Sequence, residues 1–236
     1  MSAPFQFKEF AVAQDQCAMK IGTDGVLLGA WATSKTAASI LDIGTGTGVI
    51  ALQLAQRSTA EIIDAIEIDG PAFEQAVENF ENSPWGDRLF GYHASLQEFA
   101  EEIEDSYELI VSNPPFYTGA FPSEDAQRNK ARFEDALPFA HLLAGVSHLL
   151  AAKGRFALII PFQEETKLIE SALPYGLHLQ KCCRVRGNQN SPVKRSLLEF
   201  SFSKTQPAYS DLQIETERHV YTKKYTELVQ DFYLKM

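Results

Sequence analysis

The segment ILDIGTGTGVI, Ile40–Ile50, decides the fold. Its apolar first half predicts a buried strand, and Gly44, Gly46 and Gly48 follow just before a stretch with helical periodicity. Glycines at a strand-to-helix turn let the backbone approach a ligand closely and leave helix N–H groups directed at it. The spacing is G-x-G-x-G, whereas a dinucleotide-binding turn needs G-x-G-x-x-G, which disfavours a nicotinamide dehydrogenase. Asp42 would repel a pyrophosphate, so the turn indicates a cofactor that carries positive charge.

Short β-rich runs alternate with helical stretches on both sides of this turn. The predicted strands are Ser39–Ile43, Ile62–Glu67, Leu89–His93, Glu108–Ser112 and Arg155–Ile160, and the predicted helices are Val49–Arg57, Ala72–Asn82, Leu96–Ile103, Phe139–Ala152 and Glu164–Leu173. Two last runs, Leu179–Val185 and Ser196–Ser203, flank GNQNSP and predict an antiparallel hairpin. The expected fold class is α/β: a seven-stranded, mostly parallel sheet with helices on both faces and an antiparallel C-terminal hairpin.

No stretch rich in Gly, Ser or Pro divides the chain, so we predict one domain over residues 1–236. It consists of a segment before the first strand (1–38), a core (39–203) and a C-terminal extension (204–236) that ends in a polar strand and an amphipathic helix. In the first segment, Thr23 or Asp24 is predicted to cap a helix.

Composition excludes several classes of protein. Hydrophobic residues make up 45% of the chain and charged residues 22%, as in soluble globular proteins. No apolar run approaches the ~20 residues of a membrane span, and the first residues lack a signal-peptide pattern, so we expect a cytoplasmic protein with no membrane partner. The three cysteines form no CxxC pair, and we expect neither disulfides nor a metal site. The sequence gives no oligomeric state, and a monomer is the default expectation.

Charge is unevenly distributed. The formal net charge is −10, yet residues 181–236 contain 10 Lys and Arg against 6 Asp and Glu, while residues 1–180 contain 11 against 25. A polyanion could therefore dock on the last quarter of the chain, although a solvated surface would carry the same charges.

Two further strand ends carry polar residues. Glu67 follows the glycine turn by about 20 residues, where a carboxylate can accept hydrogen bonds from both hydroxyls of a ribose. The fourth strand runs into Asn113, Pro114, Pro115 and Phe116. The asparagine oxygen and a proline-flanked carbonyl can accept both hydrogens of a conjugated amine and so localise its lone pair. Phe116 offers a stacking face for a flipped base. This pattern indicates methylation of an amino nitrogen.

The three motifs IGTGTG, EID and NPPF resemble those of seven-stranded S-adenosylmethionine-dependent methyltransferases. NPPF alone leaves three acceptors open: adenine N6 in nucleic acid, guanine N2 in ribosomal RNA, and a glutamine side chain of release factors. A catalytically silent protein that binds RNA or the cofactor is a further alternative.

Three more stretches, MKIGTDGVLLGAW, QRNKARFE and YTKKYTELVQDFYLKM, closely resemble the bacterial tRNA1(Val) (adenine(37)-N6)-methyltransferase family over nearly the whole chain. The resemblance implies S-adenosylmethionine as cofactor and N6 of adenine 37, in the anticodon loop of a valine tRNA, as acceptor. It also implies that segment 1–38 closes on the cofactor. The implied catalytic residues are Asn113, Pro114, Pro115 and Phe116, and the implied cofactor residues are Lys20, Thr23, Asp42, Gly44, Thr45, Gly46, Gly48, Glu67, Ile68, Ser95, Leu96 and Asn113. Ser95 stands where this class of enzyme often has Asp.

Three clusters of cations are candidates for RNA contacts. They are Arg128, Lys130 and Arg132 after the NPPF loop, Arg184, Arg186, Lys194 and Arg195 at the hairpin, and Lys223 and Lys224 near the C-terminus. An individual Lys or Arg is more commonly a solvated surface charge.

Overall fold

A computed structural model describes residues 3–115 and 138–236 of the chain. The predicted α/β alternation is confirmed. The strands are β1 (Phe5–Gln6), β2 (Ala11–Val12), β3 (Ser39–Ile43), β4 (Ile62–Glu67), β5 (Leu89–His93), β6 (Tyr107–Ser112), β7 (Leu150–Pro161), β8 (His178–Arg186), β9 (Val193–Ser201), β10 (Ala208–Gln213), β11 (Glu215–Glu217) and β12 (Val220–Tyr221). The α-helices are α1 (Thr23–Trp31), α2 (Val49–Arg57), α3 (Gly70–Glu81), α4 (Leu96–Glu102), α5 (Phe139–Leu149), α6 (Glu165–Ala172) and α7 (Lys223–Val229).

One eight-stranded sheet has the order β10-β8-β9-β7-β6-β3-β4-β5. Among the strands of this sheet in the described part of the chain, only β9 is antiparallel to its neighbours, and it pairs in that sense with both β7 and β8. The predicted antiparallel hairpin is therefore confirmed as β8 and β9. Apolar clusters lie on both faces of the sheet, one against α1 and α2 and the other against α5 and α6. Within the described ranges, no helix has the length and apolar content to cross a membrane.

Three of the differences between the structure and the sequence prediction concern a strand, a helix end and a helix cap. An eighth strand, β10, extends the sheet beside β8. The sequence pattern did not predict it, because an edge strand buries little apolar surface and its residues are mostly polar and exposed. Helix α5 ends at Leu149 instead of Ala152, since Leu150 pairs with Tyr107 in the sheet. The predicted cap of α1 is wrong: Gly22 occupies the N-cap position with no side-chain cap.

The chain before β3 is fastened to α3 by two buried amides. Asn79 accepts a hydrogen bond from Ala13 N–H at 2.8 Å and donates to the carbonyls of Ala13 and Thr47, both at 2.9 Å. Gln75 accepts from Gln16 N–H at 3.0 Å. Asn79 thus joins the N-terminal segment to the glycine turn, which contains Thr47.

We expect Asn79→Ala to lower the free energy of unfolding by about 2–3 kcal/mol, because it leaves buried backbone groups of Ala13 and Thr47 without partners. Amide hydrogen exchange should accelerate around Ala13. The control is Asn82→Ala, which removes one exposed hydrogen bond at the end of α3. Equal effects of the two substitutions in urea unfolding would contradict the role assigned to Asn79.

Candidate cofactor and substrate site

The register of three parallel strands places the predicted motifs side by side. Ile43 at the end of β3 pairs with Ile66 of β4 and with Ser112 of β6. The next residues along the three strands are Gly44, Glu67 and Asn113, which therefore lie at one level at the carboxyl edge of the sheet. Adjacent strands lie about 4.8 Å apart, so the glycine turn stands between the carboxylate and the amide.

The glycine turn is shaped by backbone that only glycine adopts easily. Gly44 and Gly46 have φ of 68° and 56°, in the left-handed region. A Cβ added at either position would meet nothing within 4 Å. The N–H groups of Gly44 and Thr45 both donate to the Ile66 carbonyl at 3.0 Å. The turn is thus fixed to β4 while its two glycines border open space, which is the cradle that a close-lying cofactor requires.

Gly48 has a different role from the other two glycines. Its φ is also positive, at 78°, but a Cβ there would come within 2.5 Å of the Phe80 ring. Gly48 is needed so that α2 can begin against α3. Gly48 was predicted to contact the cofactor, but packing against Phe80 is by itself enough to explain a glycine at this position.

Asp42 lies fully buried beneath the turn. Its Oδ2 accepts a hydrogen bond from the Thr45 hydroxyl at 2.7 Å, whereas Oδ1 has no hydrogen-bond partner among the described residues. Burial raises the pKa of Asp42 to about 7. A buried carboxylate with an unpaired oxygen fits a site that receives positive charge, and the same carboxylate positions Thr45.

The Glu67 carboxylate collects three backbone N–H groups. Gly46 donates to Oε2 at 2.8 Å, and Ile68 and Asp69 donate to Oε1 at 2.9 and 3.0 Å. Glu67 therefore connects the glycine turn to the start of α3. The structure brings these predicted residues together at one site, where a ribose would compete with Gly46 for Oε2.

Asn113 follows β6 with a half-buried side chain, and its amide makes no hydrogen bond to the described part of the chain. The Ser112 hydroxyl donates to the Ile43 carbonyl at 3.0 Å, which ties the ends of β6 and β3 together. Pro114 is buried and Pro115 is exposed. Phe116 lies outside the described residues.

The other predicted cofactor residues differ in whether their side chains are exposed or already used in the fold. Lys20, Thr23 and Ile68 are exposed, and Ile68 follows Glu67 directly. Ser95 forms a capping box with Glu98 at the start of α4, so its hydroxyl already serves the helix. The Leu96 side chain is buried in the core against α5. It leaves only backbone groups for a ligand.

Several predicted RNA-binding cations are held by carboxylates. Arg195 donates to Asp24 at 2.7 Å, Arg184 to Glu165 at 2.7 Å, and Lys223 lies 3.6 Å from Glu227. The Asp24 pair fastens the start of α1 to β9, and Asp24 lies inside the first turn of α1, one residue beyond Thr23. Lys194 and Lys224 are exposed, Arg186 lies 3.8 Å from Asp211, and Arg128, Lys130 and Arg132 fall outside the described residues.

The fold and the row of strand-end motifs define a class I methyltransferase. The family model "Methyltransferase small domain" matches residues 19–137. A predicted O-methyltransferase of Agrobacterium tumefaciens has a similar structure, with a TM-score of 0.70 over 89% of this chain and 96% of that one, at 18% identity. A precorrin-6y C5,15-methyltransferase of Geobacter metallireducens has a TM-score of 0.56 over 83% of this chain and 94% of its own, at 15% identity. Such similarity shows the fold alone.

Sequence relatives give a finer assignment. The tRNA1(Val) (adenine(37)-N6)-methyltransferase of Christiangramia forsetii is 58% identical over 99% of this chain and 98% of its own length. The protein of that name from Bacteroides fragilis is 45% identical over the full length of both chains. This chain belongs to the tRNA1(Val) (adenine(37)-N6)-methyltransferase family.

The glycines of the turn should differ in their contribution to stability. We expect Gly48→Ala to lower the free energy of unfolding by about 2–4 kcal/mol, because it adds a clash with Phe80 to the strain of a left-handed backbone. Gly44→Ala should cost about 1–2 kcal/mol, since only the strain applies. Urea unfolding of both variants measures the difference. A greater cost for Gly44→Ala would show that the packing explanation is wrong.

The raised pKa of Asp42 predicts a pH dependence of stability. Because an unfolded Asp titrates near pH 3.9, the stabilisation from the protonated carboxyl is fully present below about pH 4 and is lost as pH rises through about 7. Relative to Asp42→Asn, the wild-type protein should lose as much as about 4 kcal/mol of stability across that range. Urea unfolding at several pH values tests this, with Asp87→Asn, an exposed site, as the control. A difference that is constant with pH would contradict it.

Proposed function

We propose that this chain transfers the methyl group of S-adenosylmethionine to N6 of adenine 37 in the anticodon loop of tRNA1(Val). The observation that carries the proposal is the alignment of Gly44, Glu67 and Asn113 on adjacent strand ends, joined to family membership over the whole chain. This alignment would put the glycines that hold the cofactor next to the Asn113 oxygen that accepts a hydrogen bond from the target amine. A valine isoacceptor of tRNA is the proposed partner.

The chain offers a cradle that suits the cofactor. Gly44 and Gly46 would lie against it, Glu67 would accept hydrogen bonds from the ribose hydroxyls, and the buried Asp42 carboxyl, whose Oδ1 has no partner among the described residues, would favour its cationic groups. When bound, S-adenosylmethionine supplies a methyl group activated by a sulfonium. Segment 1–38, fastened through Asn79, would close over the site.

Asn113 has the central role toward the base. Its side-chain oxygen and a carbonyl of the Asn113-Pro114-Pro115 segment would accept the two hydrogens of the adenine amine. The nitrogen lone pair, otherwise delocalised into the ring, would then be directed at the methyl group. Proline has no N–H to compete for these carbonyls and restricts the backbone that holds them. Positioning supplies most of the acceleration, and the methylated amine loses its extra proton to water.

An anticodon-loop adenine suits this site because it is already unpaired. Presenting such a base costs less free energy than extruding one from a duplex. The acceptor is therefore reached without large deformation of the RNA.

The test incubates the purified protein with labelled S-adenosylmethionine and, in separate reactions, with unmodified bulk tRNA, ribosomal RNA and release factors, followed by nucleoside analysis of the RNA and detection of label in protein. We expect N6-methyladenosine in a valine isoacceptor. N2-methylguanosine in RNA would assign the guanine-directed alternative, and label in release factors would assign the glutamine-directed one. No transfer to any of these acceptors would overturn the proposal in favour of a silent binding protein.

Asn113→Ala should lower kcat at least about 100-fold, because the amine hydrogens lose a positioned acceptor. The dissociation constant for S-adenosylmethionine should stay within about twofold of wild type, since Asn113 mainly serves the base. Single-turnover methylation and calorimetry with the cofactor measure the two effects, with Asn82→Ala as the exposed control. Equal losses in both assays would mean that Asn113 is a cofactor residue instead.

A further inference from the structure

Two exposed aromatic rings flank one guanidinium on the face of the sheet that α6 packs against. The Cζ atom of Arg184 lies 5.5 Å from the ring centroid of Phe162 and 5.5 Å from that of Tyr209. Phe162 follows β7, Arg184 lies on β8 and Tyr209 on the edge strand β10. The rings are 38% and 59% exposed, so each keeps a surface free for another molecule. The three side chains are called the aromatic platform below.

Arg184 is fixed in place from beneath. The buried Glu165 carboxylate accepts from its Nη2 at 2.7 Å and from its Nε at 3.2 Å, and it also accepts from the Ser196 hydroxyl. Burial alone would raise the pKa of Glu165, but these hydrogen bonds outweigh it and leave that pKa lowered. The same contact raises the pKa of Arg184. The guanidinium is therefore a permanently charged group with a set orientation, and a ligand would meet it with little ordering cost.

The platform begins beside the catalytic motif. Leu158 of β7 pairs with Ser112, the last residue of β6, and the two strands are parallel. Asn113 directly follows Ser112 and Phe162 directly follows β7, so both lie at the carboxyl edge of these neighbouring strands, which are about 4.8 Å apart. From there the platform leads outward across β9 and β8 to the edge of the sheet.

Resting on the proposed function, we infer that Phe162, Arg184 and Tyr209 form a stacking surface for unpaired nucleotides that neighbour the target adenine in the tRNA. Aromatic faces and the guanidinium plane are the groups on which splayed RNA bases stack. Arg184 also lies in segment 181–236, where basic residues outnumber acidic ones, as suits an RNA partner.

The test compares tRNA binding by wild type, Phe162→Ala and Tyr209→Ala, measured by anisotropy with a labelled valine tRNA transcript. We expect each substitution to raise the dissociation constant about 5- to 50-fold, as for loss of one stacked base. The slope of affinity against salt should be unchanged, because no phosphate contact is removed. Tyr209→Phe should bind like wild type, while Tyr209→Leu, which is apolar but not aromatic, should bind as weakly as Tyr209→Ala.

Phe90→Ala is the matched control: this ring is 42% exposed on β5, at the opposite edge of the sheet, and its loss should leave tRNA binding unchanged. Thermal unfolding and the dissociation constant for S-adenosylmethionine confirm that each variant is folded. Anticodon loops with single abasic nucleotides add a direct coupling test: one abasic position should weaken binding to wild type but not further weaken binding to Tyr209→Ala.

Two results would overturn the inference: tRNA affinities of Phe162→Ala and Tyr209→Ala within twofold of wild type, or equal losses with Phe90→Ala. The proposed function fails on a different result, namely a wild-type protein that binds tRNA and methylates none of it. In that case the affinities of the variants still decide whether the platform binds RNA.

Discussion

The parallel pairing of β6, β3 and β4 is the constraint on which the rest of the site depends. It brings Asn113, Gly44 and Glu67 to one level although 69 residues separate the first two. The hydrogen bond from Gly46 to Glu67 and the pair from the glycine turn to the Ile66 carbonyl then fix the turn against β4. Because these contacts use backbone N–H groups, they hold the turn largely independently of its side chains.

Around this centre, buried and half-buried polar side chains act as clamps between distant segments of the chain. Asn79 joins the N-terminal segment to the glycine turn, Asp24 joins α1 to β9 through Arg195, and Glu165 holds Arg184 above the sheet. Each clamp involves a group that would be costly to bury alone, so each has a partner. Together they place the first helix, the glycine turn and the outer strands around a single edge of the sheet.

The proposed reaction needs no strong general acid or general base from the protein. An amide oxygen and stiffened carbonyls orient a conjugated amine, and a carboxylate with glycines orients the methyl donor. The same logic extends outward to the aromatic platform, where Arg184 is oriented by Glu165 before any RNA arrives. Orientation prepared in the folded state lowers the ordering cost of binding and reaction.

By itself, the sequence determined the strands that carry the site, since buried runs such as Ser39–Ile43 and Ile62–Glu67 are apolar and bounded by glycine or acidic turns. It also identified the motifs, whose residue types follow from their chemistry.

Only the tertiary structure separated Gly48, which packs on Phe80, from the glycines that border open space, and only it revealed β10, a polar edge strand. The ion pair of Asp24 with Arg195 and the position of Arg184 between Phe162 and Tyr209 are also visible only in the tertiary structure. The reason is that such contacts join residues far apart along the chain, where local periodicity and spacing carry no information about which side chains will meet.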